Sequence, residues 1–230
     1  MTNKNNAVDF SLVLASSVHD MKNSIGMLIA SLENYCEDNP PQNDVQKKHF
    51  NTLHYEASRV NAELVQLLTI YRMDTDRLPL RLDQHYVIDV LEEQLARNHA
   101  LLNNSNIHLK LECDDNLEYA FDADLVGSVV QNVIVNCCRY TREQLLVRAE
   151  IEDDLLCITI ADDGVGYPPE MLNAPQVSID PADVSEGKTR LGLYFAEAIA
   201  SMHRQKNRKG FIKLENGRVL SGGCFKMYIP

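Results

Sequence analysis

The residues best suited to chemistry near the start of the chain are a histidine and two polar neighbours on one predicted helix. His19 lies within the segment 17–23, with Asp20 adjacent and Asn23 four residues further on. An imidazole can attack through one ring nitrogen while the other keeps a proton, and Asp20 can hold that second nitrogen. Asn23 lies one turn away on the same face, where its carboxamide can position water. Taken alone, a His-Asp pair is more often an ordinary solvated helix histidine.

A second group of polar residues lies on an apolar helix further along the chain. Asn132 and Asn136 are one helical turn apart and face the same side. An amide oxygen is a hard ligand that suits Mg²⁺. Arg139 can offer a bidentate fork to a phosphate, and Tyr140 can stack on a flat base. Two asparagines at this spacing also occur by chance, so the pattern needs support from its surroundings.

The sequence Asp163-Gly164-Val165-Gly166 supplies that support, because it follows a predicted strand. Glycines let the backbone approach a base closely, and the Asp163 carboxylate can accept a hydrogen bond from an adenine amino group. As a lone motif, Asp-Gly-x-Gly is commonly just a turn.

Two segments with a heptad pattern must position His19. Their apolar residues alternate at spacings of four and three, which predicts a narrow seam that one helix cannot bury alone. Pro40 and Pro41 end the first helix and predict a turn. We expect an antiparallel helical hairpin that forms a homodimeric four-helix bundle with a second copy; the alternative is a hairpin packed on the rest of its own chain. The seam residues are Leu14, Val18, Met21, Ile25, Leu28, Leu32 and Tyr35, followed by Phe50, Leu53, Ala57, Val60, Leu64, Leu67 and Tyr71.

After residue 76 the pattern changes to short strands mixed with helices, without regular strand–helix–strand repetition. This mixture predicts an α+β fold, a two-layer sandwich, with domains at residues 1–76 and 77–230. Asp122 or Asp124 is the expected N-cap of the Asn-rich helix. Strands are predicted at 78–82, 107–113, 119–121, 144–151, 155–161, 211–214 and 225–229, and helices at 87–102, 122–140 and 191–203.

Composition narrows the classes of partner. The net charge of −11 over 230 residues disfavours nucleic acid as the main partner. The chain has no long apolar run and no signal-peptide pattern after Met1, so we expect a cytoplasmic protein, without membrane contact, that receives its input from another protein. Six cysteines without a Cys-x-x-Cys pair predict reduced, buried thiols. We expect surface or boundary positions for His49, His54, His85 and His203.

The His19 segment, the Asn-rich helix and the Asp-Gly-x-Gly turn follow each other along the chain in this order. Their types and order resemble the catalytic core of a two-component histidine kinase, and the resemblance covers nearly the whole chain. His-Asp-x-Lys-Asn is similar to the family's H-box, which implies His19 as the phosphorylated residue, Asp20 as its acidic neighbour and Asn23 as the dephosphorylation position. The resemblance implies a dimerisation hairpin followed by a GHKL-type ATP-binding domain. It also implies ATP and Mg²⁺ as cofactors, a response-regulator receiver domain as partner, and a separate sensor protein as a source of input.

The same resemblance implies the nucleotide-binding residues. Asn-x-x-x-Asn-x-x-Arg-Tyr-Thr is similar to the family's N-box, with Asn136 as the metal ligand, and the Asp-Gly-x-Gly turn is similar to its first glycine box. A second glycine box, whose backbone N–H groups surround phosphates at a helix start, is matched in part. The implied residues are Asn132, Asn136, Arg139, Tyr140, Asp163, Gly164, Gly166, Gly187, Leu191 and Gly192.

Some positions depart from the family pattern. Ser24 replaces a common proline, Lys188 and Arg190 stand where glycine is usual, and the segment 167–186 lacks the Phe-containing stretch of the lid. Asn132 stands where related ATPases such as gyrase and Hsp90 carry a water-activating Glu, which favours transfer to a protein nucleophile. The leading hypothesis is autophosphorylation of His19 from Mg-ATP followed by transfer to a response-regulator aspartate. The alternative is a histidine phosphotransferase or pseudokinase that relays phosphate without ATP, and a pure interaction module or kinase inhibitor remains a third reading.

Overall fold

The computed structural model describes residues 10–74, 78–172 and 191–230, with side chains from residue 16 onward except those of 74 and 104. Helices and strands alternate irregularly after a long helical hairpin. The helices are α1 (Phe10–Asp38), α2 (Asp44–Asp74), α3 (Val87–Arg97), α4 (His99–Asn104), α5 (Ala123–Tyr140), α6 (Pro169–Leu172) and α7 (Leu191–Met202). The strands are β1 (Asp83–Tyr86), β2 (His108–Glu112), β3 (Glu118–Phe121), β4 (Gln144–Glu152), β5 (Leu155–Asp162), β6 (Arg204–Gln205), β7 (Arg208–Lys209), β8 (Phe211–Asn216) and β9 (Gly223–Ile229).

The hairpin consists of α1 and α2, which pack along each other. α1 ends two residues before Pro40, as the prolines predicted. Part of the predicted seam is buried within one chain, including Val18 and Ala57. Other seam positions remain exposed, which leaves an apolar stripe on the hairpin: Met21, Leu28, Leu53 and Leu67. None of the helices in the described ranges combines the length and the apolar character needed to cross a membrane.

The second part of the chain is built on a five-stranded mixed sheet of order β2-β4-β5-β9-β8. β2 runs parallel to β4, with His108 opposite Gln144, and the other neighbours are antiparallel. β1 pairs with β3, and β6 pairs with β7, as separate two-stranded ribbons. This arrangement confirms the predicted α+β class.

One face of the sheet and the helices α3, α5 and α7 enclose the hydrophobic core. α5 begins where its N-cap was predicted, because Asp122 Oδ1 accepts a hydrogen bond from Leu125 N at 3.0 Å. Ile70 and Met73, in the last turn of α2, also pack against this core. The hairpin is therefore in direct contact with the part of the chain that is built on the five-stranded sheet.

Several local predictions were wrong. Residues 78–82 form no strand in the structure; β1 begins at Asp83. The helix predicted for 87–102 is divided at Asn98, which is buried and donates its side-chain N–H to Gln94 O at 2.7 Å. The domain boundary near residue 76 lies within 75–77, outside the described residues, and stays a prediction.

Two histidines that were expected near the surface are buried. His54 of α2 is 3% exposed, and its Nε2 lies 3.0 Å from Glu33 Oε1 on α1. His203 is 1% exposed; its Nε2 accepts from Asp122 N at 3.1 Å, so its Nδ1 carries the proton donated to Ile199 O at 2.9 Å. Burial lowers the pKa of His203. It therefore joins the end of α7 to the cap of α5 as a neutral imidazole.

Candidate nucleotide and phosphoacceptor site

The histidine end of the site lies on an exposed face of α1. The His19 side chain is 55% exposed, and its Nδ1 lies 3.3 Å from Asp20 Oδ1 and 3.4 Å from the Asn23 carboxamide nitrogen. Within the described ranges no hydrogen bond engages Nε2. The structure thus brings together the three residues that were predicted to act together and leaves one ring nitrogen for a reaction partner.

The helix around His19 is continuous through Ser24. Ser24 keeps its backbone N–H, and its hydroxyl donates to Asp20 O at 3.0 Å. A proline at this position would remove a backbone donor and clash with the preceding turn. Serine therefore allows α1 to run past His19 without a kink.

A cavity of about 350 Å³ opens between α5, the start of α7 and the turn after β5. Its volume falls within the range of about 300–1,000 Å³ found for small-molecule sites. The walls are mostly apolar, with a few polar groups that converge on the space. The lining residues are Asn132, Val133, Asn136, Cys137, Tyr140, Asp162, Val165, Gly166, Tyr167, Pro168, Met171, Gly192, Leu193 and Gly223.

Glycines shape the turn after β5 because neighbouring groups lie too close for side chains. A Cβ on Gly164 would clash with Tyr140 O, and Gly166 has φ +77°, in the region that favours glycine. Asn216, at the end of β8, holds the turn from outside: its Oδ1 accepts from Tyr167 N and its Nδ2 donates to Tyr167 O, both at 2.8 Å. Sequence reasoning identified both glycines but missed Asn216.

The carboxylate that lines the cavity belongs to Asp162, the buried last residue of β5. Its Oδ1 accepts from Gly164 N at 2.7 Å. Its Oδ2 faces Gly223, where an added Cβ would lie 2.9 Å from that oxygen. Because position 223 is a glycine, the second oxygen of Asp162 stays open to a donor in the cavity.

Asp163, which was predicted to contact the base, points elsewhere. Its carboxylate accepts from the backbone of the loop after α5, from Arg142 N at 2.9 Å and Glu143 N at 3.1 Å. Burial alone would raise the pKa of Asp163, but these backbone N–H groups hold that pKa below its usual range. The prediction is corrected accordingly: Asp163 fixes a loop, and Asp162 is the carboxylate of the cavity.

Asn132 joins three elements at one end of the cavity. Its buried Oδ1 accepts from Gln66 Nε2 of α2 at 2.5 Å and from Asn136 Nδ2 at 3.3 Å. Gly192 lies against the same carboxamide, because a Cβ there would be 2.7 Å from Asn132 Nδ2. The structure brings Asn132, Asn136 and Gly192 together, with Gln66 as a partner that the sequence did not indicate.

Arg139 lies outside the cavity, whereas Tyr140 lines it. The Arg139 guanidinium lies 5.6 Å from the centre of the Tyr140 ring, and its charge partly offsets the effect of burial, which raises the pKa of Tyr55 on α2. Both Arg139 and Tyr55 line a separate open cleft between the hairpin and α5. In this arrangement Arg139 does not reach a ligand in the cavity, contrary to the prediction.

The groups beside Asp162 are uncharged at neutral pH. Burial raises the pKa of the Cys137 thiol and that of the Tyr167 hydroxyl well above their ordinary values, and the nearby Asp162 charge adds to both effects. Asp162 is thus the charged residue among the described lining residues. Such a wall selects a largely apolar ligand with a hydrogen-bond donor at one edge. All six cysteines are free thiols, as predicted, but only Cys137, Cys157 and Cys224 are buried.

Comparison with known proteins now identifies the type of domain. Residues 121–230 match the family described as histidine kinase-, DNA gyrase B-, and HSP90-like ATPase. This segment, called the ATPase domain below, is similar to that family. The described lining residues of the cavity all lie within this segment, and none of them belongs to the hairpin.

The relatives and structural neighbours of this ATPase domain point the same way. Sensor protein SrrB of Staphylococcus aureus (strain N315) is 22% identical over 210 residues, which is 88% of this chain and 36% of SrrB. The chain therefore spans little more than a third of the length of the curated relatives that it matches. Histidine kinase AdeS of Acinetobacter baumannii superposes with a TM-score of 0.58 at 19% identity, over 92% of this chain and 96% of AdeS. The catalytic domain of histidine kinase ThkA gives 0.54 at 18% identity, over 65% and 96%. Together these matches support a two-component histidine kinase core, and they confirm the resemblance and the fold seen from the sequence.

The residues of the ATPase domain fit the ligand that the family implies. The adenine amino group of ATP can donate a hydrogen bond to the Asp162 carboxylate. Tyr140 and Tyr167 offer flat apolar walls for the adenine ring. For Mg²⁺, Asn136 is the suitable ligand, because its Nδ2 is engaged by Asn132 and its oxygen remains available. Leu191 begins α7 beside the cavity without lining it, and Gly187 lies outside the described residues.

Proposed function

We propose that this chain is the core of an ATP-dependent protein-histidine kinase, in which His19 receives the γ-phosphoryl group of ATP held in the ATPase domain. The observation that carries the proposal is the joint presence of two features. His19 is exposed with its Nδ1 beside the Asp20 carboxylate, and the same chain has a cavity whose single described carboxylate suits adenine. Neither feature alone requires phosphoryl transfer.

In the proposed reaction, His19 attacks through Nε2 while Nδ1 keeps its proton. The new bond joins Nε2 to the γ-phosphorus, and the bond that breaks joins this phosphorus to the oxygen bridging the β- and γ-phosphates. Positive charge develops on the imidazole, and the Asp20 carboxylate, 3.3 Å from Nδ1, stabilises it. Positioning and charge neutralisation account for most of the rate in transfers of this type.

The ATPase domain supplies the positioning. Asp162 would bind the adenine amino group, the turn of Gly164 and Gly166 would lie along the base, and Asn136 would hold Mg²⁺. Magnesium, when bound, neutralises charge on the phosphates. With Asn132 at the position of a water-activating Glu, no described group of the cavity favours hydrolysis over transfer to histidine.

The proposed partners follow from the exposed surfaces. The apolar stripe of Met21, Leu28, Leu53 and Leu67 fits a homodimeric four-helix bundle. A response-regulator receiver domain would dock beside His19 and take the phosphoryl group on an aspartate, and Asn23 would position water for the hydrolysis of that aspartyl phosphate to inorganic phosphate. A cytoplasmic location agrees with six free thiols, which reducing compartments preserve. A separate sensor protein would supply the signal.

One observation favours the second candidate, a phosphotransferase or pseudokinase that does not use ATP. Two residues assigned to nucleotide lie against the hairpin: Asn132 accepts a hydrogen bond from Gln66, and Arg139 lines a cleft together with Tyr55. A protein that only relays phosphate would keep these contacts permanently.

The test combines nucleotide binding with phosphoryl transfer. We expect calorimetry to show micromolar Mg-ATP binding that is lost in Asn136→Ala, and γ-labelled ATP to label the wild-type protein but not His19→Gln. His49→Gln, which removes another exposed histidine of the hairpin, is the matched control and should be labelled normally. Labelling of His19→Gln at the wild-type rate would refute His19 as acceptor, and absence of binding at millimolar ATP would leave only the relay candidate.

A further inference from the structure

A single buried side chain links the hairpin to the phosphate end of the cavity. α2 packs against α4, α5 and α7, and within this interface Gln66 is only 2% exposed. Its Nε2 donates to Asn132 Oδ1 at 2.5 Å. Both amides are buried, so breaking this bond without a replacement partner costs free energy.

The acceptor oxygen is fully used in this arrangement. Asn132 Oδ1 accepts from Asn136 Nδ2 as well as from Gln66, and a carbonyl oxygen has two lone pairs. The carboxamide is also confined by the backbone of α7, because only a glycine fits at position 192 beside it. Asn132 therefore has no free acceptor for Mg²⁺ or for water on a phosphate while Gln66 is bound.

Two further contacts of α2 act along the same face. Lys47 Nζ donates to Asn106 Oδ1 at 3.2 Å, and Tyr55 lines the same cleft as Arg139 of α5. Residues 47, 55 and 66 follow each other at eight and eleven positions, which places them on roughly one side of a helix. α2 thus contacts the ATPase domain at several points along its length, and at the cavity it engages the Asn132 carboxamide through Gln66.

We propose that Gln66 is an autoinhibitory latch: it competes with the nucleotide-bound Mg²⁺ and its water for the acceptor oxygen Asn132 Oδ1, so that full binding of Mg-nucleotide requires α2 to withdraw. The inference rests on the proposed function, because it takes the cavity as the ATP site. The base end is independent of the latch, because the hydrogen bond that the Asp162 side chain accepts comes from Gly164 N in the turn after β5 and not from α2. The latch therefore discriminates between ligands with and without phosphates.

The test is the affinity of full-length Gln66→Ala for two ligands. A non-hydrolysable ATP analogue with Mg²⁺ should bind about fivefold more tightly than to the wild type, which is about 1 kcal/mol at about 1.4 kcal/mol per tenfold. Adenosine, which has no phosphates, should bind equally to both. Gln66→Glu, which keeps the volume but loses the donor, should act in the same direction.

Two controls separate the latch from a general loosening of the protein. Glu63→Ala truncates an exposed residue of the same helix that pairs only locally with Arg59, and it should leave both affinities unchanged. In an Asn132→Ala background the Gln66→Ala effect should disappear, because the two residues act on one bond.

The outcomes distinguish the latch from the proposed function. Tighter Mg-nucleotide binding to Gln66→Ala, or binding to Gln66→Ala alone, supports the latch. Equal or weaker binding to Gln66→Ala beside a binding wild type overturns the latch and leaves the kinase proposal standing. Failure of both proteins to bind overturns both proposals.

Discussion

Exchanging Asp162 and Asp163 for asparagine, one at a time, tests which carboxylate recognises the base. In Asp162→Asn, Oδ1 can still accept from Gly164 N, which lies 2.7 Å away, but the oxygen facing Gly223 becomes an NH₂ donor. An adenine amino group would then meet a donor instead of a charged acceptor. Hydrogen bonds to charged groups contribute about 1.5–3 kcal/mol, so we expect about 10- to 150-fold weaker binding of ADP by calorimetry.

The neighbouring exchange is the matched control. Asp163→Asn keeps one acceptor for the backbone N–H groups of Arg142 and Glu143, and its side chain lies outside the cavity. We expect ADP affinity within about twofold of the wild type and a free energy of unfolding lower by about 1 kcal/mol. Inosine diphosphate, with a carbonyl in place of the adenine amino group, should regain affinity in Asp162→Asn. Loss of ADP binding in Asp163→Asn with retention in Asp162→Asn would refute the reasoning.

Three other predictions test the surroundings of the site. Gly192→Ala places a Cβ 2.7 Å from Asn132 Nδ2, so the carboxamide must shift. We expect the Mg-ATP affinity to change at least fivefold while the adenosine affinity stays constant. A Mg-ATP affinity equal to that of the wild type would argue against the packing described. His203 is neutral and its folded-state pKa is lowered by burial, so as the pH falls the imidazole is protonated in the unfolded chain before it is protonated in the folded protein. Its contribution to the free energy of unfolding should therefore be present above about pH 6.5 and be lost as the pH falls further. Urea titrations should show this, and His203→Gln should show a weaker dependence of stability on pH. Leu28 and Leu67 are 48% and 41% exposed in one chain. Changing both residues to Glu should convert a dimer into a monomer in sedimentation experiments. A monomeric wild-type protein would contradict the proposed bundle.

Local signals predicted the framework of the protein well. The prolines placed the end of α1, Asp122 was one of two expected caps for α5, and the strands predicted at 144–151 and 155–161 match β4 and β5 to within a residue. These features depend on a few consecutive residues, so the sequence contains what is needed to see them. Residues 78–82 were misread because a short apolar alternation is also compatible with an irregular segment that packs Leu78 and Leu80 on the core.

The errors within the site have a different origin. Asp162 and Asp163 are adjacent and chemically identical, and only the register of β5, with Asp162 opposite Leu145, decides which one turns to the cavity. Asn216 and Gln66 reach the site from other elements, and no spacing in the sequence links them to it. Contacts of this kind depend on tertiary docking, whereas the N-box and glycine pattern depends on one helix and one turn.

The position of Gln66 has a consequence for signalling, because binding couplings are reciprocal. α2 contacts the catalytic domain on one side and α1, which carries His19, on the other. Under the latch proposal, a protein that binds the hairpin and draws α2 away from α5 raises the affinity for Mg-nucleotide. The nucleotide must then raise the affinity for that protein by the same factor. Input could thus control the cavity without touching it. Measuring the affinity for the ATP analogue with and without a receiver domain bound would show this coupling; equal affinities in Gln66→Ala, but not in the wild type, would locate it at the latch.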